Sequence, residues 1–319
     1  MSLNRLIGNE TLKERLQASL AKGQLSHCYL ISGPEGSGKR TLARLLAAAM
    51  ECTSPDKPCL VCPQCKKVMG NAHPDLITVD DQEHKTIPVK VVRDACTDLY
   101  LRPNEGNRKI YLFPQAQNLN LQGQNTLLKC IEEPPSYGVF LLLADHAEQL
   151  LPTIRSRCVE LRLSPLPENL LRGQLLQRYP KADPSVLQSA VLRSGGYLGQ
   201  AIALMEETSQ LLPQTPAFVE AFCKNSPGAL LRVLTPMEKL KREQLRPVLW
   251  EWYRLMAGAA SCQGGMPPVC PEAGKIAQAC SPARILSAVN QLRRAMELAE
   301  RNVGVGHICG MLTITLNEI

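Results

Sequence analysis

Two short stretches carry residues whose types and spacing can do chemistry: a glycine-rich run that ends in lysine, and a cluster of four cysteines behind it. The run is Gly33-Pro34-Glu35-Gly36-Ser37-Gly38-Lys39. Between a strand and a helix, such a loop surrounds phosphate oxygens with backbone amides while its lysine reaches them. Gly33, Pro34, Gly36, Ser37, Gly38, Lys39, Arg40 and Thr41 are therefore the candidate nucleotide-binding residues, for ATP or ADP. A glycine-rich turn that holds no nucleotide is the alternative. The pattern is damaged, because Arg40 stands where a serine or threonine hydroxyl normally holds magnesium, and Thr41 comes one residue late.

A hydrolysing loop of this kind also needs a carboxylate at the end of a neighbouring strand to organise magnesium, and usually a second to activate water. The matching strand, Lys109-Ile110-Tyr111-Leu112-Phe113, runs into Pro114-Gln115-Ala116-Gln117, which contains no acid. Hydrolysis is expected to be disabled and Mg2+ poorly held, while Lys39 and the loop amides keep the means to bind nucleotide. Asp145 and Glu132 are the carboxylates that could substitute; neither is expected at the strand end where magnesium belongs.

Cys52, Cys59, Cys62 and Cys65 follow the spacing C-x6-C-x2-C-x2-C, and Pro55, Pro58 and Pro63 keep the loop from becoming a regular helix. Four thiolates suit tetrahedral Zn2+ and leave no open position, so the metal would be structural. An iron–sulfur cluster and four unliganded thiols are the other readings. Cys96, Cys130 and Cys158 lie in apolar or motif contexts and read as packing residues; His27, His73, His84, His146 and His307 show no mutual spacing that makes a site.

The elements that must position these groups follow from periodicity. The apolar run Cys28 to Ile31 predicts a strand, Leu76 to Val79, Ile110 to Phe113, Val139 to Leu143 and Val159 to Leu163 are further strand candidates, and helical stretches such as Leu12 to Leu20 separate most of them. That alternation implies a parallel sheet covered by helices on both faces. After Leu163 the pattern is helical, with Pro165 and Pro167 marking a boundary; helix-rich stretches include Leu230 to Met256 and Ile285 to Ala299. Ile285, Val289, Leu292, Met296 and Ala299 form one apolar stripe, which fits an intramolecular bundle or a subunit contact.

At 319 residues, 45% of them hydrophobic and 20% charged, the chain suits a multidomain globular protein. With 4% aromatic residues, its core must be largely aliphatic. The net charge of +7 is compatible with nucleic-acid or acidic partners and decides nothing alone. No apolar run reaches the roughly 18 residues of a membrane span, and a charged start argues against a secretory leader, so a cytoplasmic location is expected.

Several phrases together resemble bacterial DNA polymerase III clamp-loader subunits of the AAA-plus type. They are Ser26-His27-Cys28-Tyr29-Leu30, the glycine loop, Asn125-Thr126-Leu127-Leu128-Lys129 with Glu132-Glu133-Pro134-Pro135, and Leu150-Leu151-Pro152-Thr153-Ile154-Arg155-Ser156-Arg157-Cys158. The likeness covers about the first 205 residues. Motor subunits, gamma and tau, keep a strand-end acid pair, and the lack of one here departs in the delta-prime direction. The family's lid arginine should fall within Gly196 to Ala201, where the matching position is Gly199.

The resemblance implies a P-loop AAA-plus α/β domain over 1–163 with a zinc-binding insert at about 52–65, a small helical lid over 164–207, and a C-terminal helical collar over 208–319. It implies that Arg157 is an arginine finger acting in trans on a neighbour's nucleotide, although a surface arginine paired with a carboxylate is the ordinary alternative. The implied partners are gamma/tau-like motor subunits and a delta subunit, with the sliding clamp and primed DNA reached through the complex. The chain would then be a non-hydrolysing subunit of a DNA-directed DNA polymerase holoenzyme. The rival readings are a gamma/tau-like ATPase and a zinc-containing nucleic-acid-binding module.

Overall fold

The structure is a computed structural model that describes residues 2–81, 86–209, 211–224, 227–301 and 303–317; His84 lies outside them. The chain divides into two compact units, one comprising residues 1–170 with 197–200 and the other 171–196 with 201–319.

The first unit is built on a parallel sheet of five strands: β1 (Cys28–Ser32), β2 (Leu76–Thr78), β3 (Lys109–Phe113), β4 (Gly138–Ala144) and β5 (Val159–Arg162), in the order β2-β3-β4-β1-β5. Each strand coincides, to within a residue at either end, with one of the five predicted stretches. β1, β3 and β4 are buried at every position, as interior parallel strands must be when helices cover both faces. The edge strands β2 and β5 are partly exposed and correspondingly shorter. One face packs Leu42, Leu45 and Leu46 of the helix Lys39–Glu51 against Ile31, Leu112 and Leu141. The other packs Val92, Leu127 and Ile131 against Leu30, Phe113 and Leu142.

β1 is flanked by β4 and β5, while the chain leaving β1 crosses to β2 at the far edge. Connections therefore diverge at the carboxyl end of β1, the place where open α/β sheets form their ligand crevice.

Two buried carboxylates fasten the loop before β3. Asp75 accepts hydrogen bonds from the amides of Asn104, Glu105 and Gly106 at 2.6, 2.9 and 2.8 Å, and from the Asn104 side chain at 3.1 Å. Burial works to raise the Asp75 carboxyl, but these donors outweigh it and hold the carboxyl below the usual carboxylate range. Glu51 accepts from the amides of Asn107 and Arg108; burial dominates there and pushes its carboxyl up to about 7.

Among the described residues the regular elements of the second unit are all helices. Trp252, fully buried, stacks on Phe218 with ring centroids 3.8 Å apart and donates its indole N–H to Thr215 Oγ1 at 3.1 Å. The stripe predicted from Ile285 to Ala299 lies on the helix Pro282–Glu300: Ile285, Leu292 and Ala299 are in the core, and Val289 and Met296 pack against it. The stripe therefore serves an intramolecular bundle. Among the described residues no helix is long and apolar enough to cross a membrane.

Candidate functional site

The glycine run joins β1 to the helix Lys39–Glu51. Gly36 and Gly38 take positive φ values of 75° and 98°, so the tight turn needs residues without a Cβ. At Gly36 space is also decisive: an added Cβ would lie 2.4 Å from Gln200 N, because Gly199 N donates to Gly36 O at 2.9 Å. The position matched to the family's lid arginine thus lies backbone to backbone on the loop. Arg40 is exposed, Thr41 half-buried.

Lys39 is the most constrained side chain of the loop. Its side chain is 9% exposed, and its ammonium donates to Gly33 O at 2.6 Å, Pro34 O at 2.8 Å and Asp145 Oδ1 at 2.6 Å. Asp145 follows β4, whose neighbour is β1, so the sheet order carries it to the loop. Its other oxygen accepts from Gln117 Nε2 at 3.2 Å. Gln117 belongs to the turn after β3 that lacks an acid. Asp145 does not belong to the end of β3, but from the end of β4 it reaches both the loop lysine and Gln117 of the acid-free turn. Sequence reasoning underrated it; an acid directly after an apolar strand was the available signal.

The cysteines converge as their spacing implies. The sulfurs of Cys52, Cys59, Cys62 and Cys65 all lie within 4.8 Å of one another. Tetrahedral zinc with Zn–S bonds of about 2.3 Å sets sulfurs about 3.8 Å apart, so the four fit such an ion after a small contraction. Amides point at the sulfurs: Cys59 N to Cys52 at 3.4 Å, Cys62 N to Cys59 at 3.3 Å and Cys65 N to Cys62 at 3.4 Å. Burial raises the Cys62 thiol, but the amides of Cys65 and Thr53 and the neighbouring thiols outweigh it and bring it down to about 6. The amides of Val61 and Cys62 lower Cys59 in the same way, whereas burial drives Cys65 well up. An ion here would supply structural cross-linking only, since all four positions are protein sulfurs.

Arg157 sits in the turn between the short helix Pro152–Arg155 and β5. Its guanidinium, 40% exposed, pairs with Glu132 at 2.8 Å and donates to Thr153 O at 3.0 Å. The turn is held from below by buried Gln124, which accepts from Leu151 N at 2.8 Å and donates to Leu119 O at 3.0 Å. Cys158 Sγ lies 2.9 Å from Cys28 Sγ at the start of β1. Because Tyr29 pairs with Val159, Arg157 is level with His27 at the amino end of the sheet. At about 3.3 Å per residue it stands about 20 Å along the strand direction from Gly33. It cannot reach its own glycine loop.

Cys96 and Cys130 are buried, consistent with packing roles. Of the described histidines only His73 is buried, and its Nδ1 accepts from Asp75 N at 3.1 Å.

Residues 8–167 match the family model described as DNA polymerase III, delta subunit. The chain belongs to the DNA polymerase III clamp-loader family. It is 32% identical over 208 residues to DNA polymerase III subunit tau of Escherichia coli (strain K12), covering 63% of this chain and 32% of that protein. It is 36% identical over 179 residues to DNA polymerase III subunit delta' of Pseudomonas aeruginosa, covering 55% of this chain and 54% of that one. The clamp-loader chain thus spans about a third of the tau relative and about half of the delta' relative. A looser likeness, with TM-score 0.39 and 14% identity, extends over 96% of the chain and 99% of the DNA clamp loader delta protein of Bacillus subtilis.

Proposed function

We propose that this chain is a delta-prime-like subunit of the clamp loader, which performs no hydrolysis in its own site and lends Arg157 to the ATP of an adjacent gamma/tau-like subunit. The observation that carries this reading is the placement of Arg157: exposed, in an intact Ser-Arg-Cys turn, at the opposite end of the sheet from the chain's own loop. A guanidinium so placed can meet a phosphate only if another chain brings it. The state of the loop supports the same reading, with no acid at the end of β3, Arg40 at the hydroxyl position and Gly199 at the lid-arginine position.

In this reading the lid is 164–207 and the collar 208–319, the four cysteines hold one structural zinc ion, and the assembly, which also contains a delta subunit, places the sliding clamp on primed DNA. A finger acts by stabilising charge on the transferred phosphoryl group, worth roughly three to five orders of magnitude at the site it enters. Its pair with Glu132 is a surface ion pair, of about 0–1 kcal/mol, so a neighbour's phosphate can take the guanidinium over at little cost.

The test is reconstitution with gamma/tau-like and delta subunits and comparison of wild type, Arg157→Ala and Arg157→Lys. Assembly should be unchanged, total ATPase should fall in part because one site is silenced, and clamp loading should fall further. Lysine should rescue poorly, since an ammonium lacks the planar fork that engages phosphate oxygens. Wild-type loading by a complex verified to contain the alanine subunit would remove the finger role.

A further inference from the structure

We infer that Asp145 is a nucleotide-excluding residue: its carboxylate takes the place of a triphosphate at the loop lysine and reserves that lysine against ATP. The inference rests on the reading above, in which this chain's loop belongs to a non-hydrolysing subunit.

An ammonium has three donors, and all three of Lys39 are engaged, by Gly33 O, Pro34 O and Asp145 Oδ1. The pair is partly buried, with Lys39 9% and Asp145 34% exposed, so water does not screen it as it would a surface pair. Asp145 is held from a second side by the Gln117 amide at 3.2 Å. That donor comes from the turn after β3, where a hydrolysing site needs an acid. A carboxylate at Gln117 would face Asp145 across the same gap and repel it; an amide donates to it. The acid-free turn and the capture of the lysine by Asp145 thus belong to one cluster.

A triphosphate entering the loop has to displace Asp145 from Lys39 or share the lysine with it, and in either case it comes up against a like charge. Apparent affinity is the intrinsic affinity multiplied by the fraction of time the lysine is free. If Asp145 holds Lys39 nine-tenths of the time or more, removing its charge tightens ATP binding by about tenfold or more. The opposite reading of the same geometry is that Asp145 replaces the missing acid and holds magnesium. It makes the opposite prediction, because a metal-holding carboxylate supports nucleotide binding and its loss weakens it.

The experiment uses the full chain, with ATP titrated by calorimetry and by thermal shift, with and without Mg2+, and with turnover recorded alongside. The proteins are wild type, Lys39→Ala, Asp145→Asn, Asp145→Ala and the double variant Asp145→Asn with Lys39→Ala. Asparagine keeps the shape and an acceptor for Lys39, and the alanine variant carries the same test if asparagine fails to fold. The inference expects ATP affinity to rise at least about tenfold in Asp145→Asn, or to appear where wild type shows none, to vanish in the double variant, and turnover to stay at background. Unchanged affinity, or no binding by any variant, overturns it. Magnesium-dependent weakening overturns it in favour of Asp145 as a metal carboxylate. Turnover by the wild type that Lys39→Ala abolishes defeats the non-hydrolysing reading itself, whereas unchanged affinity without turnover defeats only the role of Asp145.

Discussion

Replacing Cys62 by serine and, separately, by alanine isolates what the metal contributes at the cysteine cluster. Cys62 has two jobs. Its sulfur caps the helix Pro63–Met69 by accepting from Cys65 N at 3.4 Å, and it is one of the four candidate zinc ligands. Serine preserves the cap, because a hydroxyl is a strong N-cap acceptor, but replaces a soft thiolate with a poor zinc ligand; alanine removes both. The two variants should therefore differ by about 1 kcal/mol whether or not metal is present. The metal term is larger, since free zinc at a thousandfold excess over its dissociation constant stabilises the bound state by about 4 kcal/mol. Cys65 is a poorer choice because it is fully buried against the helix Lys39–Glu51, with its thiol directed at Ala48 O at 3.5 Å, so its loss would mix packing with ligation. Zinc content by emission spectrometry, the absorption of a cobalt-substituted sample and protease sensitivity of residues 52–65 measure the effect. Wild type should hold one ion per chain and lose protection on chelation; the serine variant should behave like the chelated wild type, and the alanine variant should lie about 1 kcal/mol below it for want of the cap. An undiminished ion in Cys62→Ser, or a wild type indifferent to chelation that takes up no cobalt, would refute the reasoning.

Asp75→Asn should destabilise the first unit by about 1.5–3 kcal/mol at neutral pH, because hydrogen bonds to a charged acceptor are lost. As the folded carboxyl lies below its usual value, that contribution is full above the unfolded value of about 3.9 and is lost as pH falls through the lower folded value. The gap between variant and wild type in thermal unfolding should therefore close in acid, and a gap that widens there would contradict the assignment. Gly36→Ala combines a positive φ with a Cβ 2.4 Å from Gln200 N, so it should lower the melting temperature and speed hydrogen exchange at the Gly199 amide. In the second unit Trp252→Ala should cost about 3–5 kcal/mol in denaturant unfolding, while Trp250→Ala, at a side chain 54% exposed, should stay within about 0.5 kcal/mol.

β1, β3 and β4 are legible in the sequence because a parallel strand buried on both faces becomes an unbroken apolar run, while the edge strands β2 and β5 fall within the candidate stretches Leu76 to Val79 and Val159 to Leu163. The cysteine cluster is legible because its ligands are close in sequence and the proline-rich loop has little else to do. Long-range polar pairings are not. Lys39 and Asp145 are far apart in the chain and meet only because β4 lies beside β1, a fact of strand order that periodicity does not encode. Asp75 reads as an ordinary turn acid until three amides from the 104–106 loop are seen to converge on it. The docking of Gly199 on Gly36 is likewise a backbone contact with no side-chain signature.

The surroundings of Lys39 also bear on the stability of the chain. A buried ammonium without a partner is strongly destabilising, and breaking such a pair by removing one member costs about 3–5 kcal/mol. In a working nucleotide site the phosphate supplies the counter-charge; in this structure Asp145 supplies it from the end of the adjacent strand. The same ion pair thus stabilises the fold and competes with ATP, so the two effects must move together. Asp145→Asn should melt at lower temperature than wild type, and added ATP should restore part of the loss in the variant while leaving wild type unmoved, because only in the variant does Lys39 gain a charged partner from the ligand. Equal ATP-induced shifts in the two proteins would separate stability from exclusion and leave Asp145 as a structural counter-ion alone.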